Sequence, residues 1–428
     1  MNDLLNSIIR KQKDTVEQML SRDYVPRSVF AKANELVKTD LIKVIIGPRR
    51  SGKSVLGLML LKNVKFAYLN LDDDALGQIL KNIKSYDELI EEMLSVYGKT
   101  NIIFFDEIQN LDRWELFANK LHREGYNLIL TGSNSKLLSR ELSTHLTGRY
   151  FEIEVLPFSF REYLFAKKIN IRDSSLADYK GEIFNHLNNY MISGGFPEVV
   201  VKDVDAKEYL STLFDAVVFK DVVNRYKIRY PQKITSVGSL IINNVASEFS
   251  YRKLLGPLNV KSPITIEKYA GFLQESYLIF LLNKYSYKTK EVFGSIKKVY
   301  AVDNGLVTSK SIQFSKNSGS LMENLVFTEL LKRGFKSNVD LFYYKTESNK
   351  GVDFLIRKGL TIDSLIQVSY NINDLKTEKR ETRALIDASE ELKCDNLVLI
   401  TWDREELKTM KGKKIKYIPL WKWLLYNN

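Results

Sequence analysis

The stretch Gly47-Pro48-Arg49-Arg50-Ser51-Gly52-Lys53-Ser54 decides how the chain is read. Its spacing is G-x-x-x-x-G-K-[ST], and its flanks place it where that spacing has a mechanism. The apolar run Leu41–Ile46 before it reads as a buried strand, and a helix is expected to start near Ser54. The glycines let successive backbone N–H groups turn inward around phosphate oxygens, and the helix start adds its positive end. Lys53 then reaches β- and γ-phosphate oxygens and Ser54 ligates Mg²⁺, which makes ATP and Mg²⁺ the expected ligands. The competing reading, a glycine turn with an incidental lysine, leaves the strand before and the helix after unexplained.

Farther along, Ile102-Ile103-Phe104-Phe105 ends in Asp106-Glu107. Two acids at the carboxyl end of a buried strand are costly without a cation. Asp106 is therefore expected to hold Mg²⁺ through its water shell, and Glu107 to orient or deprotonate the water that attacks the γ-phosphorus. A strand that merely reaches solvent could also end in acids. A third run, Asn127–Thr131, ends in Gly132-Ser133-Asn134, where Ser133 or Asn134 is placed to touch the γ-phosphate or the attacking water. Polar turns after strands are common, so a purely structural role stays open for both. Arg149, in Thr147-Gly148-Arg149, is a candidate for stabilising the transferring phosphoryl group, against the plainer reading of a surface or ion-pair arginine.

The runs Leu41–Ile46, Val64–Leu69, Ile102–Phe105, Leu128–Thr131 and Phe151–Val155, separated by helical stretches, predict a mainly parallel α/β sheet with its ligand at the strands' carboxyl ends. Before them, residues 1–40 carry helical spacing broken at Pro26, read as an N-terminal helical arm around a 41–160 ATPase core. Residues 161–230 read as a helical lid or connector, interrupted at Gly194-Gly195 and Pro197. Residues 231–303 hold three helical patterns, the last entered by Ser262-Pro263, then strand-like runs Ile279–Leu282 and Lys298–Val302. That order outlines a winged helix-turn-helix. Residues 304–428 form a last α/β segment.

A chain of 428 residues exceeds what one core usually serves, and its 44% hydrophobic and 27% charged composition is that of an ordinary globular protein. Its lone cysteine, Cys394, and three histidines exclude an internal disulfide and a Cys/His zinc site. The longest apolar runs, Leu56–Leu61 and Tyr277–Leu282, fall well short of a membrane span, and the N-terminus lacks signal-peptide features, so cytoplasmic residence is expected. The net charge of +12 favours a polyanion such as DNA if the basic residues share a face. A merely solvated basic surface accounts for the charge equally well.

These elements together resemble the AAA+ class of P-loop ATPases, and in particular a prokaryotic group that joins such a domain to a winged helix and a C-terminal restriction-endonuclease-like domain. The resemblance rests on Gly47–Lys53, Leu130-Thr131-Gly132-Ser133, Gly148-Arg149, Leu156-Pro157-Phe158-Ser159-Phe160, Gly194-Gly195-Phe196-Pro197 and Val299-Tyr300-Ala301-Val302-Asp303. It implies ATP hydrolysis coupled to movement of the later domains, with DNA as partner. It also leaves room for protein partners, and for a ring in which Arg149 serves a neighbouring copy. The nuclease-like resemblance places acids at Glu323 and Asp353 but puts Gln367-Val368-Ser369 where such nucleases carry Glu-x-Lys. An amide replaces a metal ligand and a hydroxyl replaces the activating lysine, which implies a disabled nuclease. The alternatives are a nucleotide-gated protein-interaction switch, or a nuclease in which another lysine, such as Lys345, substitutes.

Overall fold

The computed structural model describes residues 2–80, 85–134, 148–169, 177–288, 296–311 and 318–426. It divides into two compact units, Met1–Leu156 and Pro157–Asn428.

The first unit follows from alternation in its apolar runs. Five parallel strands, β1 (Ile42–Ile46), β2 (Ala67–Asn70), β3 (Ile102–Asp106), β4 (Asn127–Gly132) and β5 (Tyr150–Glu154), lie in the order β2-β3-β4-β1-β5. Successive residues of a strand face opposite sides, so Ile42, Val44, Ile46, Leu69, Phe105, Leu128 and Leu130 pack on one face. Ile45, Tyr68, Phe104, Ile129 and Ile153 pack on the other. The first face is covered by α1 (Asn2–Leu20) and by helices Tyr86–Tyr97 and Trp114–Arg123, and the second by α2 (Phe30–Val37) and α3 (Lys53–Leu61). Buried on both faces, β1 to β4 read as continuous apolar runs, while β5 at the edge buries only Ile153.

The N-terminal segment is part of this unit's core. Leu5, Ile9 and Val16 of α1 are buried in it. The Gln12 amide accepts from Asn70 N at 2.8 Å and donates to Asn70 O at 3.2 Å, which satisfies main-chain groups of the outermost strand, β2.

The second unit begins with helices Phe160–Ala166, Ala177–Ser193, Pro197–Lys202, Ala206–Val217 and Pro231–Asn243. A three-stranded antiparallel sheet follows, with β6 (Glu248–Phe249), β7 (Ile279–Leu282) and β8 (Lys297–Ala301) in the order β6-β8-β7. Helix Pro263–Glu275 lies between β6 and β7, and its Ser262 cap accepts from Ile264 N at 3.2 Å. Ile266, Ala270 and Leu273 are buried along its inner stripe, with Tyr277 just beyond the helix end. Beyond helices Asn304–Lys310 and Ser318–Lys332, a six-stranded mixed sheet has the order β13-β14-β12-β11-β10-β9. Its members are β9 (Leu341–Lys345), β10 (Gly351–Lys358), β11 (Thr361–Ser369), β12 (Leu397–Thr401), β13 (Glu406–Met410) and β14 (Lys413–Pro419).

The boundary expected between residues 303 and 304 crosses a dense set of hydrogen bonds. Asp303 accepts from Gly195 N and Gly305 N, both at 2.8 Å. Asn304 donates to Met191 O at 3.0 Å and Leu321 O at 2.9 Å, and Asn324 donates to Asn304 Oδ1 at 2.8 Å. These side chains tie the helical part to the C-terminal part, and both fall in one compact unit. Among the described residues no helix is long and apolar enough to cross a membrane.

Candidate phosphate and magnesium site

The loop after β1 is shaped by two glycines with positive φ. Gly47 has φ +150°, and a Cβ there would stand 2.1 Å from Val155 O, so a side chain is excluded by the neighbouring main chain. Gly52 has φ +95° and immediately precedes α3. Arg50 also takes a left-handed φ of 68°. Between them the Ser51 hydroxyl is buried and has no hydrogen-bond partner among the described residues. Such a loop turns its amides and the start of α3 toward one place, the arrangement that accepts phosphate.

Lys53 opens α3 and is buried. Its ammonium donates to Pro48 O at 3.1 Å and lies 3.5 Å from Glu107 Oε1. Ser54 Oγ donates to Asp106 Oδ1 at 2.9 Å. Asp106, at the end of β3, also accepts from Tyr68 Oη at 2.9 Å and from Thr131 Oγ1. All three described donors are hydroxyls, so among the described residues no cationic side chain donates to this buried carboxylate. Burial, then the nearby Glu107 charge, pushes the Asp106 carboxyl up from its ordinary value. A buried acid facing a serine hydroxyl beside the loop fits a divalent cation, and Ser54 and Asp106 are the residues that would hold it.

Glu107 follows β3 with a left-handed φ of 54°, a strained conformation for a residue with a side chain. Its N–H donates to Thr131 Oγ1 at 2.9 Å, which fixes the turn. Burial pushes the Glu107 carboxyl up, but the Lys53 ammonium and the Gln109 amide outweigh it and hold the group below its usual range. Gln109 Nε2 donates to Glu107 and reaches Ser133 Oγ at 3.4 Å. Ser133 and Asn134 are both buried at the carboxyl end of β4, beside β1.

Glu107, Lys53, Ser133, Asn134, Ser54 and Asp106 thus come together at one end of the parallel sheet. Arg149 does not join them. Ile42 pairs with Tyr150 and Ile46 with Glu154, so Arg149 lies at the amino end of the sheet. At about 3.3 Å per residue it is roughly 15 Å from the level of the loop. Its guanidinium donates to Asn119 Oδ1 at 3.2 Å. The expectation that Arg149 serves its own chain's site is corrected by this register. Its neighbour Thr147 lies outside the described residues.

Four contributors were not among the site residues expected from the sequence. Tyr68 and Thr131 hold Asp106, and Gln109 links Glu107 to Ser133. Arg27, from the segment before α2, donates to Ser51 O at 2.9 Å and Leu156 O at 2.6 Å, bracing the loop from outside. The apolar strand hid the first two, since a tyrosine and a threonine in such a run look like packing residues.

In the second unit, Glu323, Asp353, Gln367 and Ser369 line one cleft together with Lys298, Arg380 and Glu381. Lys345 is not among its lining residues; its ammonium is 2.6 Å from Glu248.

Residues 39–164 match the family described as AAA domain. Two domains of unknown function follow, DUF8612 over residues 184–317 and DUF4143 over residues 318–423. Uncharacterized protein MJ1544 of Methanocaldococcus jannaschii is 40% identical over 399 residues, spanning 90% of this chain and 88% of that protein. An uncharacterized protein of Haemophilus influenzae is 32% identical over 398 residues, spanning 90% and 94%. Among solved structures, the Walker-type ATPase PABY2304 of Pyrococcus abyssi is similar with a TM-score of 0.43 and 17% identity, covering 67% of this chain and 96% of its own.

Proposed function

This chain belongs to the family of those archaeal and bacterial relatives, an AAA domain joined to two domains of unknown function, and from that premise we propose that it binds ATP with Mg²⁺ and hydrolyses it at the loop Gly47–Ser54. The observation that carries the reading is the meeting of Lys53, Ser54, Asp106 and Glu107 at the carboxyl end of β1 and β3. The loop amides and Lys53 hold the phosphates. Glu107, kept ionised by Lys53, accepts a proton from water, whose oxygen attacks the γ-phosphorus as its bond to the bridging oxygen breaks and ADP leaves. Gln109 fixes the Glu107 carboxylate and is itself within reach of Ser133, and Asn134 is assigned to the attacking water or the γ-phosphate. Mg²⁺, when bound at Ser54 and Asp106, neutralises charge on the transferring phosphoryl group. The test is phosphate release by the purified chain, dependent on ATP and Mg²⁺ and abolished in Lys53→Ala. Turnover that survives this change would contradict the reading.

The finer reading couples the nucleotide cycle to movement of the second unit, with DNA as the macromolecular partner and cytoplasmic residence. The element order Pro231–Asn243, β6, Pro263–Glu275, β7 and β8 supports a winged helix, and the order Ser318–Lys332, β9, β10, β11, Leu375–Leu392, β12 supports a nuclease-like fold. The net charge of +12 supports a polyanion. Gln367 and Ser369 speak against cutting. A salt-sensitive shift of labelled duplex DNA without cleavage in Mg²⁺ or Mn²⁺ is the expected result. No shift at low salt would point instead to a protein-binding switch. In this account Arg149 serves only another copy of the chain, so its loss lowers turnover only where copies assemble.

A further inference from the structure

A nuclease-like fold implies a divalent cation between Glu323 and Asp353, and the residues present do not fit one. The place is taken by Lys298. Its side chain, from β8, is almost wholly buried, and its ammonium donates to Glu323 Oε1 at 2.9 Å and Asp353 Oδ1 at 2.8 Å. Two further donors hold the carboxylates on Lys298. Tyr300 Oη donates to Glu323 Oε1 at 2.7 Å, and Val368 N donates to Asp353 Oδ2 at 3.0 Å. Gln367, at the position where a third ligand would stand, accepts from Asp353 N at 3.2 Å and donates to Glu381 Oε2 at 2.7 Å.

A hard divalent cation needs six or more oxygens at about 2.0–2.6 Å. An ammonium clasped by the same two carboxylates occupies that space, and its positive charge already offsets part of theirs. Cation and lysine therefore exclude one another. Lys298 comes from the three-stranded sheet, Glu323 from helix Ser318–Lys332 and Asp353 from β10 of the six-stranded sheet. Its neighbour Tyr300 stacks on Phe327 of that same helix with centroids 4.1 Å apart.

We infer that Lys298 has replaced the divalent cation of this carboxylate pair, turning a metal centre into a metal-independent joint between the three-stranded sheet and the C-terminal sheet. The cleft of about 700 Å³ in front of it is left without metal-assisted hydrolysis. This inference rests on the nuclease-like reading of the second unit and is independent of the ATP site.

The experiment is a Mn²⁺ titration of the nucleotide-free full chain by electron paramagnetic resonance, with thermal unfolding alongside. The unaltered chain is expected to bind no Mn²⁺ that Asp353→Asn removes. Lys298→Met is expected to unfold at a lower temperature, gain one Mn²⁺ per chain, recover stability on adding it, and lose that ion again with Asp353→Asn. A Mn²⁺ in the unaltered chain that Asp353→Asn abolishes would overturn the inference, as would a folded Lys298→Met that takes none. Should Lys298→Met fail to fold, the uncharged triple variant with Glu323→Gln and Asp353→Asn decides. Its folding identifies uncompensated carboxylates as the fault and supports the inference, and its failure overturns it.

Discussion

The Lys53 ammonium lies 3.5 Å from the Glu107 carboxylate, with both side chains buried. Without nucleotide, the residue that holds phosphate and the residue that activates water neutralise each other. Removing one leaves the other as an uncompensated buried charge. A stability cycle over Lys53→Ala, Glu107→Gln and the double change should therefore be non-additive. The expected coupling is about 1–3 kcal/mol, the double variant being less destabilised than the sum, measured by urea unfolding without nucleotide.

Tyr68 is predicted to act through Asp106. Its hydroxyl donates at 2.9 Å to Oδ2, while Ser54 and Thr131 hold Oδ1. Tyr68→Phe keeps the ring packed against Phe104 and removes one bond to a charged group, worth about 1.5–3 kcal/mol. Turnover should fall by roughly tenfold or more and the Mg²⁺ concentration for half-maximal rate should rise, while the nucleotide-free chain loses stability by about the worth of that bond. An unchanged Mg²⁺ profile would show that Tyr68 only packs.

Gly47→Ala is predicted to fail structurally before it fails chemically. The backbone sits at φ +150° and the new methyl meets Val155 O at 2.1 Å. Strain and displacement together should cost about 3 kcal/mol or more. Differential scanning calorimetry should show the melting temperature lowered, and nucleotide binding lost even where the fold remains.

Asp303 supplies a pH dependence. Burial raises its carboxyl to about 6, against the Gly195 N–H and the Lys332 charge, which pull it down. Between pH 4 and 6 the folded chain keeps a proton that the unfolded chain has released. Stability therefore falls as pH rises through this window and levels off above it. The loss attributable to this group is about 3 kcal/mol. Urea midpoints across pH 4–7 should show the slope in the unaltered chain, and Asp303→Asn should flatten it.

How far this was legible in the sequence depends on whether a feature is local. Gly47–Ser54 and Asp106-Glu107 are contiguous and sit at the ends of apolar runs, so composition and position identify them together. Strand order and register are set by pairing between distant segments, and that is why Arg149 was expected beside a phosphate from which the β1–β5 register separates it. Tyr68, Thr131 and Arg27 reach partners far along the chain, and their residue types suit a core as well as a site. Lys298 is the plainest case. In a strand next to another lysine it reads as a solvated charge, and only the folded unit brings Glu323 and Asp353 around it. The joint at Asp303 and Asn304 was hidden likewise, since its partners, the turn residue Gly195 and the helical Met191 and Leu321, lie far along the chain on both sides of the expected boundary.

The central claim is that Glu107 performs the chemistry at a site that Lys53 makes competent to bind. Single-turnover hydrolysis and equilibrium binding of ATP by Glu107→Gln in Mg²⁺ test it most directly. The predicted result is ATP bound at least as tightly as by the unaltered chain, because Lys53 loses its competing partner, with the hydrolytic rate reduced by about 10²–10⁴. A Glu107→Gln chain that hydrolyses ATP at the unaltered rate would contradict the account.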